Sequence, residues 1–244
     1  FERYIFRYNN DYQVSDKLKF GSNLSFVSTK RRGLPLDDNI DVSVILNVLG
    51  FEPVTSPYRS PEETLAAGGN PNSPYDLFNC AKYNNRTNPV AMIARNNDDY
   101  RNIIVNGNFF GEYEIWKGLS FKSNFAIEAD RENDSRFTPR YYLGNQDKLG
   151  ESMVERYISW TNSYNWVNQL VYNKEIGKHN ITIMGASEAN HWSMENLSGR
   201  RTDLPSNDPS GRYFSLATGS TALMGDADEY ALIELGQSLL QTGK

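Results

Sequence analysis

Three kinds of side chain in this sequence could do chemistry. Glu112 and Glu114 stand two residues apart in a stretch of alternating polarity, so both carboxylates would point to one side, as a paired acid and base do. On a polar strand face the same spacing is also the ordinary pattern of solvated side chains. His179 falls in a predicted tight turn and His191 near a strand end, and no Ser or Cys is placed to complete a nucleophile with either. Cys80 is the single cysteine, which excludes an internal disulfide, and one Cys with two His makes no zinc set. Metal chemistry is not expected, although carboxylate-rich loops leave calcium open. The third kind is aromatic: Tyr141, Tyr142 and Trp192, read as loop residues, offer flat faces on which sugar rings stack. At a barrel rim such residues also serve as interfacial girdle side chains. No catalytic residue and no cofactor is expected, and the chain is not read as an enzyme.

The elements that would carry these groups are strands. Period-two alternation recurs in three pairs. In the first, Tyr4, Phe6, Tyr8 and Tyr12 oppose Arg7, Asn9, Asp11 and Gln13. After Ser15-Asp16-Lys17, Leu18, Phe20, Leu24 and Phe26 then alternate with Lys19, Asn23 and Ser25. In the second, Ile103 to Ile115 places apolar residues opposite Asn106, Asn108, Glu112 and Glu114, with Ile104 and Phe110 as exceptions. Past Trp116-Lys117-Gly118 the return strand sets Leu119, Phe121, Phe125 and Ile127 against Ser120, Lys122, Asn124 and Glu128. The third pair runs from about Tyr164 to Asn173, turns near Gly177, and returns through Ile181 and Ile183. One short helix is predicted at about Asn39 to Leu49.

Between the hairpins lie long irregular stretches, residues 30 to 100 and 133 to 157, rich in Asn, Asp, Pro, Gly and Ser. Loops of that length are uncommon in compact soluble domains. Short turns at one end and long connections at the other are the asymmetry of outer-membrane barrels, and about ten alternating residues suffice to cross a bilayer when tilted. The expectation is therefore all-β: an antiparallel transmembrane β-barrel segment of six strands in three hairpins, an open arc of a larger barrel with long extracellular loops. On this reading Asn106, Asn108, Glu112, Lys122, Asn124 and Glu128 face the lumen.

Composition agrees without deciding the solvent. Aromatics reach 13% while mean hydropathy is −0.62, a profile shared by barrels and by carbohydrate-binding sandwiches. The net charge of −5 with scattered cations argues against nucleic acid as a partner. A secreted carbohydrate-binding β domain and a small complete outer-membrane barrel both stay open on these grounds.

Several stretches, in order along nearly the whole chain, resemble the barrel of the SusC/RagA family of Bacteroidetes TonB-dependent transporters. They are the hairpin from Asn10 to Phe26 around Ser15-Asp16-Lys17-Leu18, then Ile45-Leu46-Asn47 leading to Glu52-Pro53-Val54-Thr55-Ser56-Pro57-Tyr58, and Asn88-Pro89-Val90-Ala91. The hairpin from Phe110 to Ser123 around Trp116-Lys117-Gly118, Phe137-Thr138-Pro139-Arg140-Tyr141-Tyr142-Leu143-Gly144, and Tyr172-Asn173-Lys174 with Gly177-Lys178-His179-Asn180-Ile181-Thr182 follow. After Ile233 the sequence departs from the family's next strand, and a shifted reading frame or a divergent strand is expected there. The resemblance implies part of the wall and outer loops of an energised outer-membrane importer of glycans or peptides. It further implies a SusD-like surface lipoprotein and the TonB complex as partners, TonB acting through a plug and N-terminal segment expected outside this sequence, as are the remaining strands. Oligosaccharide or peptide substrate and outer-membrane lipid complete the implied contacts.

Overall fold

The computed structural model describes residues 1–33 and 43–243, with side chains described through residue 227. Seven long strands form one antiparallel sheet in the order β1-β2-β3-β4-β7-β8-β9. They are β1 (Glu2–Ser15), β2 (Leu18–Arg31), β3 (Asp99–Trp116), β4 (Leu119–Thr138), β7 (Met153–Ile176), β8 (His179–Thr202) and β9 (Thr221–Gly243). Every neighbour in sequence is a neighbour in the sheet, as in an up-and-down barrel wall.

The three expected hairpins are present, closed by turns at residues 16–17, 117–118 and 177–178. Gly118 has φ +88°, and a Cβ on it would lie 2.3 Å from the backbone oxygen of Asn173, so glycine is required there twice over. All three turns lie at one end of the sheet, and the connections 32–98, 139–152 and 203–220 leave from the other.

Two expectations need correction. A seventh strand, β9, pairs with β8 from Arg201↔Thr221 to His179↔Gly243, and its backbone continues through the stretch where the sequence departs from the family pattern. The strands are also longer than ten residues: 14 in β1 and β2, 18 in β3, 20 in β4 and 24 in β7 and β8. Twenty-four residues at about 3.4 Å each run about 80 Å, far more than a bilayer's hydrocarbon. The second long connection therefore shrinks to 139–152, because backbone pairing such as Phe137↔Val154 continues after the apolar alternation stops.

The first connection carries α1 (Val44–Gly50), α2 (Pro61–Ala66) and α3 (Pro89–Arg95). The helix expected at about 39–49 is thus observed from Val44, residues 39–42 lying outside the described ones. The other two helices begin at caps. The Ser60 hydroxyl accepts from Glu63 N–H while the Glu63 carboxylate accepts from Ser60 N–H, and the Asn88 side chain accepts from Val90 and Ala91 with Pro89 in the first turn. A two-stranded hairpin, β5 (Tyr141–Tyr142) and β6 (Lys148–Leu149), occupies the second connection.

The buried apolar clusters lie at the loop end. Phe137, Val154, Leu204 and Ala217 bury one another with Phe214 against them, and Phe78, Ala91 and Leu143 form a second cluster. The sheet instead exposes a continuous apolar face: Tyr4 and Phe6 are 68% and 64% exposed, and Phe109, Phe125 and Trp166 stand open on the same side. Such a face in water would be an aggregation hazard; in a bilayer it is the favoured solvent contact. Three polar groups on it bond to one another, the Trp166 indole donating to Ser123 Oγ at 3.0 Å and that hydroxyl donating to Asn168 Oδ1 at 2.8 Å.

Candidate functional site

Cross-strand register builds the first candidate surface. Directly paired residues share a face, so the row Asn9↔Asn23↔Asn108↔Ala126↔Asn165↔Asn190 lays five amides across six strands on the side opposite the apolar one. The adjacent row on that face is Arg7, Ser25, Asn106, Glu128, Ser163 and Trp192. Together they line a groove of about 580 Å³. Glu188, one row toward the turns, accepts from Asn165 at 2.6 Å and from Asn190 at 3.0 Å, and Asn165 also donates to Asn190. Asn108 Oδ1 is buried and has no hydrogen-bond partner.

The six residues expected to face the lumen all share this polar face. Asn106 pairs with Glu128, Phe110 with Asn124, and Glu112 with Lys122, whose Nζ lies 3.2 Å from the Glu112 carboxylate. That ion pair, half exposed, occupies one of the two carboxylates that sequence spacing offered for acid–base work. Phe110, the exception in the alternation, stays on the polar face for a steric reason. A Cβ on its pairing partner Gly21 would lie 2.6 Å from the Phe110 ring, so glycine makes room for it. His191 lies in the middle of β8 on the apolar side, stacked on Tyr164 at 5.1 Å.

Trp192 is not a loop residue. It stands within β8, on the polar face beside the asparagine row, because β8 keeps its ladder for 24 residues. The structure therefore separates it from Tyr141 and Tyr142, which lie in the small hairpin at the loop end.

The second candidate surface is where the three connections meet. Arg59, 8% exposed, donates to the carbonyls of Asp76 at 2.8 Å, Leu143 at 3.1 Å and Tyr142 at 2.7 Å, tying the first connection to the second. Asp76, also buried, accepts from Asn70 N–H at 2.8 Å and Tyr142 N–H at 3.1 Å. Arg140 ties the second connection to the third: its guanidinium donates to Leu204 and Pro205 carbonyls, and its backbone exchanges hydrogen bonds with the Asn207 side chain. Arg212 closes the ring, donating to Asn97, Tyr75 and Asn207 and lying 4.2 Å over the Phe137 ring. Between these ties opens an outward groove of about 780 Å³.

Tyr141 and Tyr142 both border that groove but differ in freedom. The Arg95 guanidinium covers one face of Tyr141 at 3.7 Å, and burial pushes the phenol up to about 12 against the opposing pull of Arg95. Tyr142 carries Lys148 Nζ at 5.8 Å from its ring centre and donates its hydroxyl to Asn145. Cys80 sits beneath, half-buried, its thiol held above the ordinary range by burial. Sequence reasoning did not single out Arg140, Lys148 or Arg212; their only sequence signal is a positive charge within irregular stretches.

No protein-family model matches the chain. Two curated relatives come from Formosa agariphila. TonB-dependent receptor P26 is 28% identical over 203 residues, covering 80% of this chain and 18% of that protein, and TonB-dependent receptor P3 is 32% identical over 98 residues, 40% of this chain and 10% of that protein. The chain thus spans less than a fifth of the length of either relative. Among solved structures, the RagAB peptide transporter superposes over 99% of this chain and 26% of its own with a TM-score of 0.77 at 16% identity. The RagAB peptide importer in its open-open state gives a TM-score of 0.69. At that identity the likeness shows the fold alone.

Proposed function

We infer that this chain, a stretch of a SusC/RagA-type TonB-dependent receptor, forms barrel wall and outer loops of an outer-membrane importer. The observation that carries the reading is the division of the sheet into an open apolar face and a polar face bearing five asparagines in one row. An open arc leaves ladder groups unpaired along β1 and β9, which costs several kcal/mol per group in hydrocarbon, so further strands must close it. About 22 strands enclose a plugged lumen in transporters of this size.

On this reading the polar face lines the lumen, with Asn106, Asn108, Glu112, Lys122, Asn124 and Glu128 solvating it or touching a plug. The loop groove receives substrate beneath a SusD-like lipoprotein, and TonB acts through the plug. Tyr142 and Trp192 are the aromatic contacts offered to substrate, and Tyr141, one face covered by Arg95, supports the groove from behind. The ion pair of Glu112 with Lys122, which takes up one of the two carboxylates spaced for acid–base work, favours a conduit over an enzyme. The RagAB structures that this chain resembles are of a peptide transporter, which favours peptide, and the exposed loop aromatics favour oligosaccharide; both stand as substrate classes.

The test is deletion of the full-length receptor gene, followed by uptake of labelled oligosaccharide and peptide mixtures. Energised accumulation of one class, lost on deletion and on dissipating the proton gradient, is the expected outcome. Receptor recovered in the soluble fraction, or uptake unchanged by deletion, would overturn the assignment.

A further inference from the structure

We propose that the loop groove is a binding site for an anionic group, a carboxylate or a similar oxyanion carried on an oligomeric ligand. The inference rests on reading the loops as the ligand-facing surface and adds the charge of what they take.

Arg140, Lys148 and Arg212 all border this groove, and among the described residues none of the three forms an ion pair with a carboxylate. The hydrogen bonds of the two arginines end on carbonyls, an amide and a phenol. Those partners satisfy N–H groups but leave the positive charge in place. Two carboxylates border the groove as well. Asp76 is turned inward, 5% exposed, and holds Asn70, Ser73 and Tyr142. Asp208 sits at the rim, accepts both the N–H and the hydroxyl of Ser210, and is held below the ordinary carboxylate range by those bonds and, to a smaller extent, by the charge of Arg212. Three cations against two engaged carboxylates leave the groove positive in a chain whose net charge is −5.

The cations are also presented in a usable way. Lys148 is exposed and its ammonium lies over the Tyr142 ring, 5.8 Å from the ring centre, so cation and phenol border the same space. A sugar acid or acidic side chain can bring its oxyanion to the ammonium while its ring or stem lies along the edge of the tyrosine. Because the walls are tied by Arg59, Arg140 and Arg212, little ordering is required on binding.

The experiment uses the full-length receptor in detergent and three probes: tetragalacturonate, its carboxyl-reduced neutral counterpart, and tetraglutamate. The expected result is that at least one anionic probe binds about tenfold more tightly than the neutral one. Lys148→Gln should remove most of that preference without changing affinity for the neutral probe, and Lys148→Arg should retain it. Which anionic probe binds identifies the source of the oxyanion as sugar acid or peptide. Equal binding of charged and neutral probes, or a preference untouched by Lys148→Gln, overturns the anion site while leaving the loops as the ligand surface. Absence of binding by all three, with no hydrogen-exchange protection in residues 139–150 and 203–212, overturns both.

Discussion

Arg59 donates its Nη2 to the carbonyl oxygen of Tyr142 at 2.7 Å across 83 residues of sequence, and through that contact the first long connection shapes the second. The same guanidinium also holds the Asp76 and Leu143 carbonyls. Replacing it by Ala leaves three acceptors unpaired, two of them buried, a loss of about 2–3 kcal/mol for the loop cluster. Hydrogen exchange of residues 139–150 in Arg59→Ala should rise sharply, while the strands of the sheet keep their protection.

Phe110 and Gly21 form the corresponding fit on the polar face. Gly21→Ala drives a methyl group within 2.6 Å of the Phe110 ring and 2.5 Å of the Asn10 carbonyl. A destabilisation of about 1–3 kcal/mol is expected. Adding Phe110→Ala should recover only part of it, because the Asn10 contact is backbone. Urea titration of the refolded receptor measures both.

Adjacent residues on opposite faces give a direct test of the lipid boundary. Phe125 stands on the apolar side and Asn124 on the polar one. Phe125→Arg should cost about 2–4 kcal/mol of folding into lipid vesicles, and Asn124→Arg close to nothing. Equal costs would remove the assignment of faces.

Glu52 predicts an acid-sensitive loop. Burial raises its pKa, but the backbone N–H groups of Lys82 and Tyr83 and the Thr55 hydroxyl more than offset this and hold the carboxyl below its ordinary value. A depressed carboxylate contributes stability above its unfolded pKa and loses it as pH falls through the folded one. Exchange protection of the Lys82 and Tyr83 amides should therefore hold at pH 6 and fall in the acid range below about pH 4. In Glu52→Gln the protection should be weak throughout and lack that pH dependence.

The helices show where local signals were present but unused. Ser60-Pro61-Glu62-Glu63 spells a capping box, and Asn88-Pro89 a capped first turn, yet each helix has at most seven residues and no periodicity to draw the eye. Tyr141 and Tyr142 were legible as candidates from their type and setting. Trp192 was legible as an aromatic but not as a strand residue, since its neighbours Ser193, Glu195 and Asn196 break the apolar alternation while the backbone ladder runs on to Thr202.

The sequence by itself determined the two faces of the sheet and the positions of its three tight turns, because alternation along a strand and the needs of a turn are local properties. Lumen candidates such as Asn106 and Glu128 follow from the same rule and share the polar face. Only the tertiary structure decided how far the strands extend, that β9 joins β8, and which loops meet. Backbone hydrogen bonds are blind to side-chain type, so the ladder outlasts its pattern. The groove depends on contacts such as Arg140 with Asn207, 67 residues apart, and Arg212 with Tyr75, 137 apart, which no local spacing encodes.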